Sequence, residues 1–80
     1  MRLDKFLKVS RLIKRRTVAA EACSASRVLL NGKEAKPAKE VKIGDEIEIV
    51  YGVSRLKVKV TAVEATTKKQ EATELYEVID

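Results

Sequence analysis

Arg27-Val28-Leu29-Leu30-Asn31-Gly32-Lys33-Glu34-Ala35 is the stretch at which the chain changes period. Before it, apolar residues recur every three or four positions. After it, they alternate. Asn-Gly between two short runs is the strongest two-residue hairpin signal, because both central residues of the turn need φ > 0. The stretch therefore predicts a β-hairpin, with helices before it and a sheet after it.

Working back from Arg27, two helices are expected. Leu3, Phe6 and Leu7 follow the i, i+3, i+4 spacing of one buried face and predict a helix over Arg2–Ser10. Asp4 and Lys8 are spaced to pair at i, i+4. Arg11–Ile13 reads as a connection with Leu12 and Ile13 turned inward. A second helix is expected over Arg15–Ala25, with Val18, Ala19, Ala22 and Cys23 as its apolar stripe. Thr17 is either its N-cap or one turn inside.

Working forward, Gly44-Asp45 marks another turn. Glu46-Ile47-Glu48-Ile49-Val50 alternates, with Ile47 and Ile49 inward. A turn near Gly52 leads to Arg55-Leu56-Lys57-Val58-Lys59-Val60, which alternates in the same way. Thr67-x-x-Gln70 is a capping-box pattern and predicts a short helix from Lys68 to about Leu75. Glu77-Val78-Ile79 reads as a final strand. The order α-α-β-β-β-β-α-β predicts an α+β fold with a small, mainly antiparallel sheet.

The 80 residues fit a single domain, 1–80. Cys23 is the one cysteine and histidine is absent, so no internal disulfide or structural zinc site is expected. Cys23 falls on the apolar stripe and reads as core. The three glycines are scattered, which excludes a phosphate-binding glycine loop. Without histidine or a gathered set of carboxylates, catalysis is not expected. A free thiol and an N-terminal stretch with no uninterrupted apolar run suggest a reducing, cytoplasmic setting and no membrane segment.

Charge gives the functional lead. Residues 1–36 carry ten basic residues against three acids, and residues 37–80 carry seven against nine. Seven cations, Arg2, Lys5, Lys8, Arg11, Lys14, Arg15 and Arg16, fall within residues 2–16 beside a single acid, Asp4. Such asymmetry suggests a polyanion. Lys14-Arg15-Arg16 stands at a helix N-terminus, where cations oppose the dipole but suit an anion ligand. Arg16 is expected to be exposed, so its truncation should leave folding unchanged or slightly favoured. Arg27, Lys33, Lys36, Lys68 and Lys69 are secondary candidates. Arg55, Lys57 and Lys59 should instead pair with Glu46 and Glu48 across the ladder. Phe6, Tyr51 and Tyr76 are the only aromatics, too few for a base-stacking platform. Phosphate and RNA shape are then the expected targets. A protein-interaction module and a DNA-binding basic domain are the rival readings.

Four segments together resemble a known family: Arg2-Leu3-Asp4-Lys5-Phe6-Leu7, Lys14-Arg15-Arg16-Thr17-Val18-Ala19, Arg27-Val28-x-x-Asn31-Gly32 and Val41-x-x-Gly44-Asp45-x-Ile47. They resemble the αL RNA-binding motif, named after small-subunit ribosomal protein S-four, over about residues 1–50. The tail Thr66-Thr67-Lys68-Lys69-Gln70-Glu71-Ala72 and Tyr76 is similar to the stand-alone, RqcP-like members. The resemblance implies a non-enzymatic, cofactor-free factor of ribosome quality control. It implies binding to large ribosomal subunits that still hold peptidyl-tRNA, with contact to large-subunit rRNA and tRNA. It also implies action with an RqcH-like tailing factor during C-terminal alanine tailing. A heat-shock factor that recycles large subunits is the related alternative. Carried over residue by residue, it assigns RNA contact to Arg2, Lys5, Lys8, Arg11, Lys14, Arg15, Arg16 and Thr17, with Asp4 orienting neighbouring cations. One departure stands out: relatives usually have Gly where this chain has Ser26, at the exit of the second helix.

Overall fold

The computed structural model describes residues 1–63 and 75–79. Two helices, α1 (Leu3–Val9) and α2 (Arg16–Ser24), precede the strands β1 (Val28–Leu30), β2 (Lys33–Glu34), β3 (Glu46–Tyr51), β4 (Ser54–Val60) and β5 (Tyr76–Val78). The sheet is antiparallel throughout, in the order β2-β1-β3-β4-β5. The α+β class and the helices-then-sheet order agree with the sequence. The expected helix from Lys68, its capping box, and Lys68 and Lys69 themselves lie outside the described residues.

The helix α1 has seven residues, too few to persist alone in water. Packing holds it: Leu3, Phe6 and Leu7 are all fully buried. Each such side chain contributes about 1.5–3 kcal/mol on burial. They meet Val28, Ile47, Ile49, Val58, Val60 and Leu75 in one core. The segment 37–41 closes over the start of α1. Leu3 N–H donates to the Lys39 carbonyl at 2.8 Å and Asp4 N–H to the Pro37 carbonyl at 3.1 Å.

Two expectations for α2 change. Arg15 is its N-cap residue, in extended conformation, and caps no N–H with its side chain. Thr17 is thus the second helical residue, neither cap nor a full turn inside. Ala19 and Cys23 are buried as expected, but Val18 is 47% exposed. At one position from Ala19, it is turned about 100° around the helix, off the buried stripe.

The sheet follows its turns. Asn31 (φ 53°) and Gly32 (φ 83°) close β1–β2 with Leu30 opposite Lys33. The Asn31 side chain does more than permit the turn. Its Oδ1 accepts the Glu46 N–H at 2.9 Å and its Nδ2 donates to Asp45 Oδ1 at 3.1 Å. This staples the first hairpin to the Gly44-Asp45 turn.

Ser26 occupies the left-handed region, φ 61°. Ser26 N–H donates to the Cys23 carbonyl at 3.1 Å and Arg27 N–H to the Ala22 carbonyl at 2.9 Å. These are the paired bonds of a Schellman cap, whose left-handed residue is usually Gly. Ser26 Oγ donates to Glu34 Oε1 at 2.8 Å on the exposed surface, a partial compensation. Left-handed backbone costs a non-glycine residue roughly 1–2 kcal/mol. Ser26→Gly should therefore raise stability by about 0.5–1 kcal/mol after losing that bond. Thermal melts check this, and an unchanged or lower Tm would mean the Glu34 contact outweighs the strain.

Candidate nucleic-acid interface

Of the cations of residues 2–16, Arg2 and Arg16 are brought together on Asp4 by how α1 and α2 meet. Arg2 precedes the first residue of α1, and Arg15 and Arg16 open α2. The tight α1–α2 connection carries Arg11 and Lys14 between them. Arg2, Lys8, Arg11, Lys14, Arg15, Arg16 and Thr17 are exposed, and Lys5 is half-buried. Arg11 ends α1 in the left-handed region, φ 64°, with its N–H on the Lys8 carbonyl at 3.1 Å. The strain turns the chain sharply enough for Ile13 N–H to reach the Leu7 carbonyl at 3.0 Å.

Asp4 lies among these cations and is itself 4% exposed. Arg2 approaches it with two nitrogens, Nε to Oδ1 and Nη2 to Oδ2, both at 3.2 Å. Arg16 Nε lies 3.4 Å from Oδ2. The Lys5 backbone N–H donates to Oδ1 at 2.8 Å. The expected Asp4–Lys8 pair is therefore replaced by contacts with Arg2 and Arg16. Burial explains the change: Asp4 is turned into the helix–helix junction, while Lys8 is exposed on the surface of α1. The first turn of α2 has no acidic residue of its own. Asp4 supplies the missing negative charge from the neighbouring helix.

The expectation that Arg16 is free of structural duty is corrected by the same geometry. Arg16→Ala would leave the buried carboxylate with Arg2 and the Lys5 backbone N–H. With both guanidiniums half-exposed, that loss is worth at most about 1 kcal/mol.

The secondary candidates divide. Arg27 is exposed, and its backbone completes the α2 cap and accepts Val50 N–H at 2.8 Å. Lys33 and Lys36 lie along a groove of about 720 Å³ between the first hairpin and the 35–39 loop. Lys39 lies on the same groove and was missed. Its position in the acid-rich half of the sequence hid it, and Lys36-Pro37-Ala38-Lys39 was the available signal.

Arg55 and Lys57 do pair with strand acids, as expected. Arg55 Nη1 meets Glu48 at 2.8 Å and Lys57 Nζ meets Glu46 at 3.4 Å. Both pairs are diagonal, since Glu48 stands directly opposite Lys57 and Glu46 opposite Lys59. Lys59 also has Glu77 opposite it on β5. This face alternates with the buried Ile47, Ile49 and Val58, so it lies on the side of the sheet away from the core.

The S4 domain family matches residues 1–47. A Halalkalibacterium halodurans protein named RQC P-site tRNA stabilizing factor is 55% identical over 78 residues, 98% of this chain and 89% of its own length. A Bacillus subtilis protein of the same name is 49% identical over 79 residues, 99% of this chain and 92% of its own. Among solved structures, a trimeric Vibrio cholerae Heat Shock Protein 15 is similar with TM-score 0.91 and 31% identity, over 99% of this chain and 81% of that one.

Among the described residues, no group of three or more His, Cys, Asp or Glu is placed to hold a metal ion. Cys23 is the sole thiol. Burial pushes its pKa up to about 11, the Asp4 carboxylate adds to the rise, and a backbone hydrogen bond partly opposes it. A thiol rather than thiolate is thus present at neutral pH, and the thiolate is the reactive form. Cys23 should resist maleimide in the folded protein at pH 7 and react fully in denaturant. Rapid labelling under native conditions would overturn its placement in the core.

Proposed function

The chain belongs to the S4 domain family, and on that premise we propose that it is a non-catalytic RNA-binding factor of ribosome-associated quality control. It stabilises a tRNA in the P site of a stalled large ribosomal subunit. The observation that carries this reading is the match, over nearly the whole chain, to relatives named for that role. The cationic junction of α1 and α2 supplies the means. Its exposed arginines and lysines suit phosphates of large-subunit rRNA and of peptidyl-tRNA, with Arg16 as the main grip. Lys33, Lys36 and Lys39 extend the same contact. The chain acts beside an RqcH-like tailing factor during C-terminal alanine tailing, in the cytoplasm. Among the described residues no helix is long and apolar enough to cross a membrane.

Gradient sedimentation of tagged protein from cell lysate tests the class. It should travel with large subunits that carry peptidyl-tRNA. Equal travel with empty large subunits would favour a heat-shock factor that recycles them. Travel with the nucleoid would favour a DNA-binding domain.

Binding should also be strongly salt-dependent. If four to six phosphates are contacted, log K against log salt should slope roughly −3 to −5. A slope near zero would remove phosphate contact as the basis of affinity. Arg16→Ala should cost about 1.5–3 kcal/mol of binding, roughly ten- to a hundred-fold. Arg16→Lys should recover part, since ammonium keeps the charge without the planar fork. Lys57→Ala and Lys59→Ala should pellet with subunits almost as the parent does. Losses there equal to that of Arg16→Ala would put the binding face on the opposite side of the sheet.

A further inference from the structure

The groove between the first hairpin and the 35–39 loop is built unlike the α1–α2 junction. Its volume is about 720 Å³, within the range of sites that take a small molecule. Leu30, Ala35 and Ala38 give it an apolar wall, and Lys33, Lys36 and Lys39 stand along it. Leu30 and Ala35 are 6% and 8% exposed, so the wall is the edge of the core itself. All three lysines are exposed. Among the described residues none of the three forms an ion pair. Glu34 is the one acid of the groove, and its Oε1 accepts the Ser26 hydroxyl at 2.8 Å instead.

The backbone around the groove is fixed on every side. Ala35 N–H donates to the Val28 carbonyl at 3.2 Å and Lys39 N–H to the Lys36 carbonyl at 3.0 Å. Asn31 is tied to Asp45 and Glu46. The Pro37 and Lys39 carbonyls accept the Asp4 and Leu3 N–H groups, so the groove adjoins the end of α1 that carries Arg2. A phosphate has no use for an apolar wall, because it is strongly hydrated and gains nothing from contact with carbon. The ligand that gains from both the wall and the lysines has a flat, weakly polar body between two anions. An unpaired nucleotide has that form: its base covers carbon, and its 5′ and 3′ phosphates meet cations. A base inside a duplex is stacked and paired and cannot enter.

We propose that this groove seats one unpaired RNA base against Leu30, Ala35 and Ala38, while Lys33, Lys36 and Lys39 take the phosphates on either side of it. No aromatic ring lines the groove. The base therefore lies against aliphatic carbon, with the methylene stems of the lysines covering what the wall leaves open. Because the walls are already fixed, little ordering is needed when the base enters. The inference rests on the RNA-binding reading above and goes beyond it. It adds a base contact, and so a preference for unpaired RNA, to a surface whose sequence suggests phosphate and shape alone.

The test uses two fluorescein-labelled RNA hairpins matched in phosphate number, one fully paired and one with a single bulged adenine. Fluorescence anisotropy gives the affinity of the parent and of Ala38→Leu for each, and thermal melts accompany both proteins. The parent should bind the bulged hairpin roughly ten-fold more tightly. Ala38 is exposed, so a leucine there meets no tight packing and occupies the groove. Ala38→Leu should lose the preference and bind the two hairpins alike. A preference kept in Ala38→Leu would overturn the proposal. A second measurement needs no variant: in methyl NMR spectra of the parent, the bulged hairpin should shift the Leu30, Ala35 and Ala38 signals and the paired hairpin should not. Equal shifts from both hairpins would overturn the proposal. So would shifts of those methyls by an acidic oligopeptide and not by the bulged hairpin, which would assign the groove to a protein. If the parent binds neither hairpin, the functional reading fails and this inference with it. If it binds both equally, this inference alone fails.

Discussion

The structure depends on withdrawing one face of a very short helix from water. Seven residues cannot hold α1 together by backbone hydrogen bonds alone. Leu3, Phe6 and Leu7 must be covered, and the sheet's Ile47, Ile49, Val58 and Val60 cover them. Once that face is fixed, the rest of α1 has no freedom. Arg2 stands at its entrance and Asp4 faces the junction with α2. Lys8 and Arg11 follow on the exposed side, with Lys5 half-buried. The cationic surface is thus a by-product of which residues the core claims.

Polar groups then hold the parts in register. Asn31 joins the first hairpin to the Gly44-Asp45 turn through both ends of its amide. The same two turns set β1 against β3, with Leu30 opposite Ile47. The 37–41 segment returns to the start of α1 and bonds its first free N–H groups. Ser26 and Arg11 both occupy left-handed backbone without being glycine. Each follows the end of a helix and turns the chain toward the next element. Strain at these two points is the cost of bringing α1, α2 and β1 into so small a volume.

The two faces of the molecule treat charge differently. On the sheet's outer face, Arg55 and Lys57 are neutralised by Glu48 and Glu46 within one layer. Residues 2–16, which include the α1–α2 junction, hold one acid for seven cations, and it lies beneath two of them, Arg2 and Arg16. The outer sheet face therefore presents little net field. The helical junction presents a concentrated one, which is the physical basis for steering a polyanion to that side.

Several features were legible in the sequence because they depend on neighbours in the chain. The 3.6-residue spacing of Leu3, Phe6 and Leu7, the alternation of residues 46–60, and the Asn31-Gly32 turn each fix local geometry. The charge asymmetry and the S4 resemblance carried the functional reading. What the sequence could not decide was which partner each charge takes. The i, i+4 spacing offered Asp4 to Lys8, but burial of α1 turned Asp4 toward Arg2 and Arg16. The same junction gave Arg16 a structural contact and left Val18 in solvent. Lys39 joined Lys33 and Lys36 only because the loop before Val41 folds back on the hairpin. Periodicity is a property of the chain and can be read along it. Ion pairing depends on distance and dielectric, and those exist only once the elements have packed.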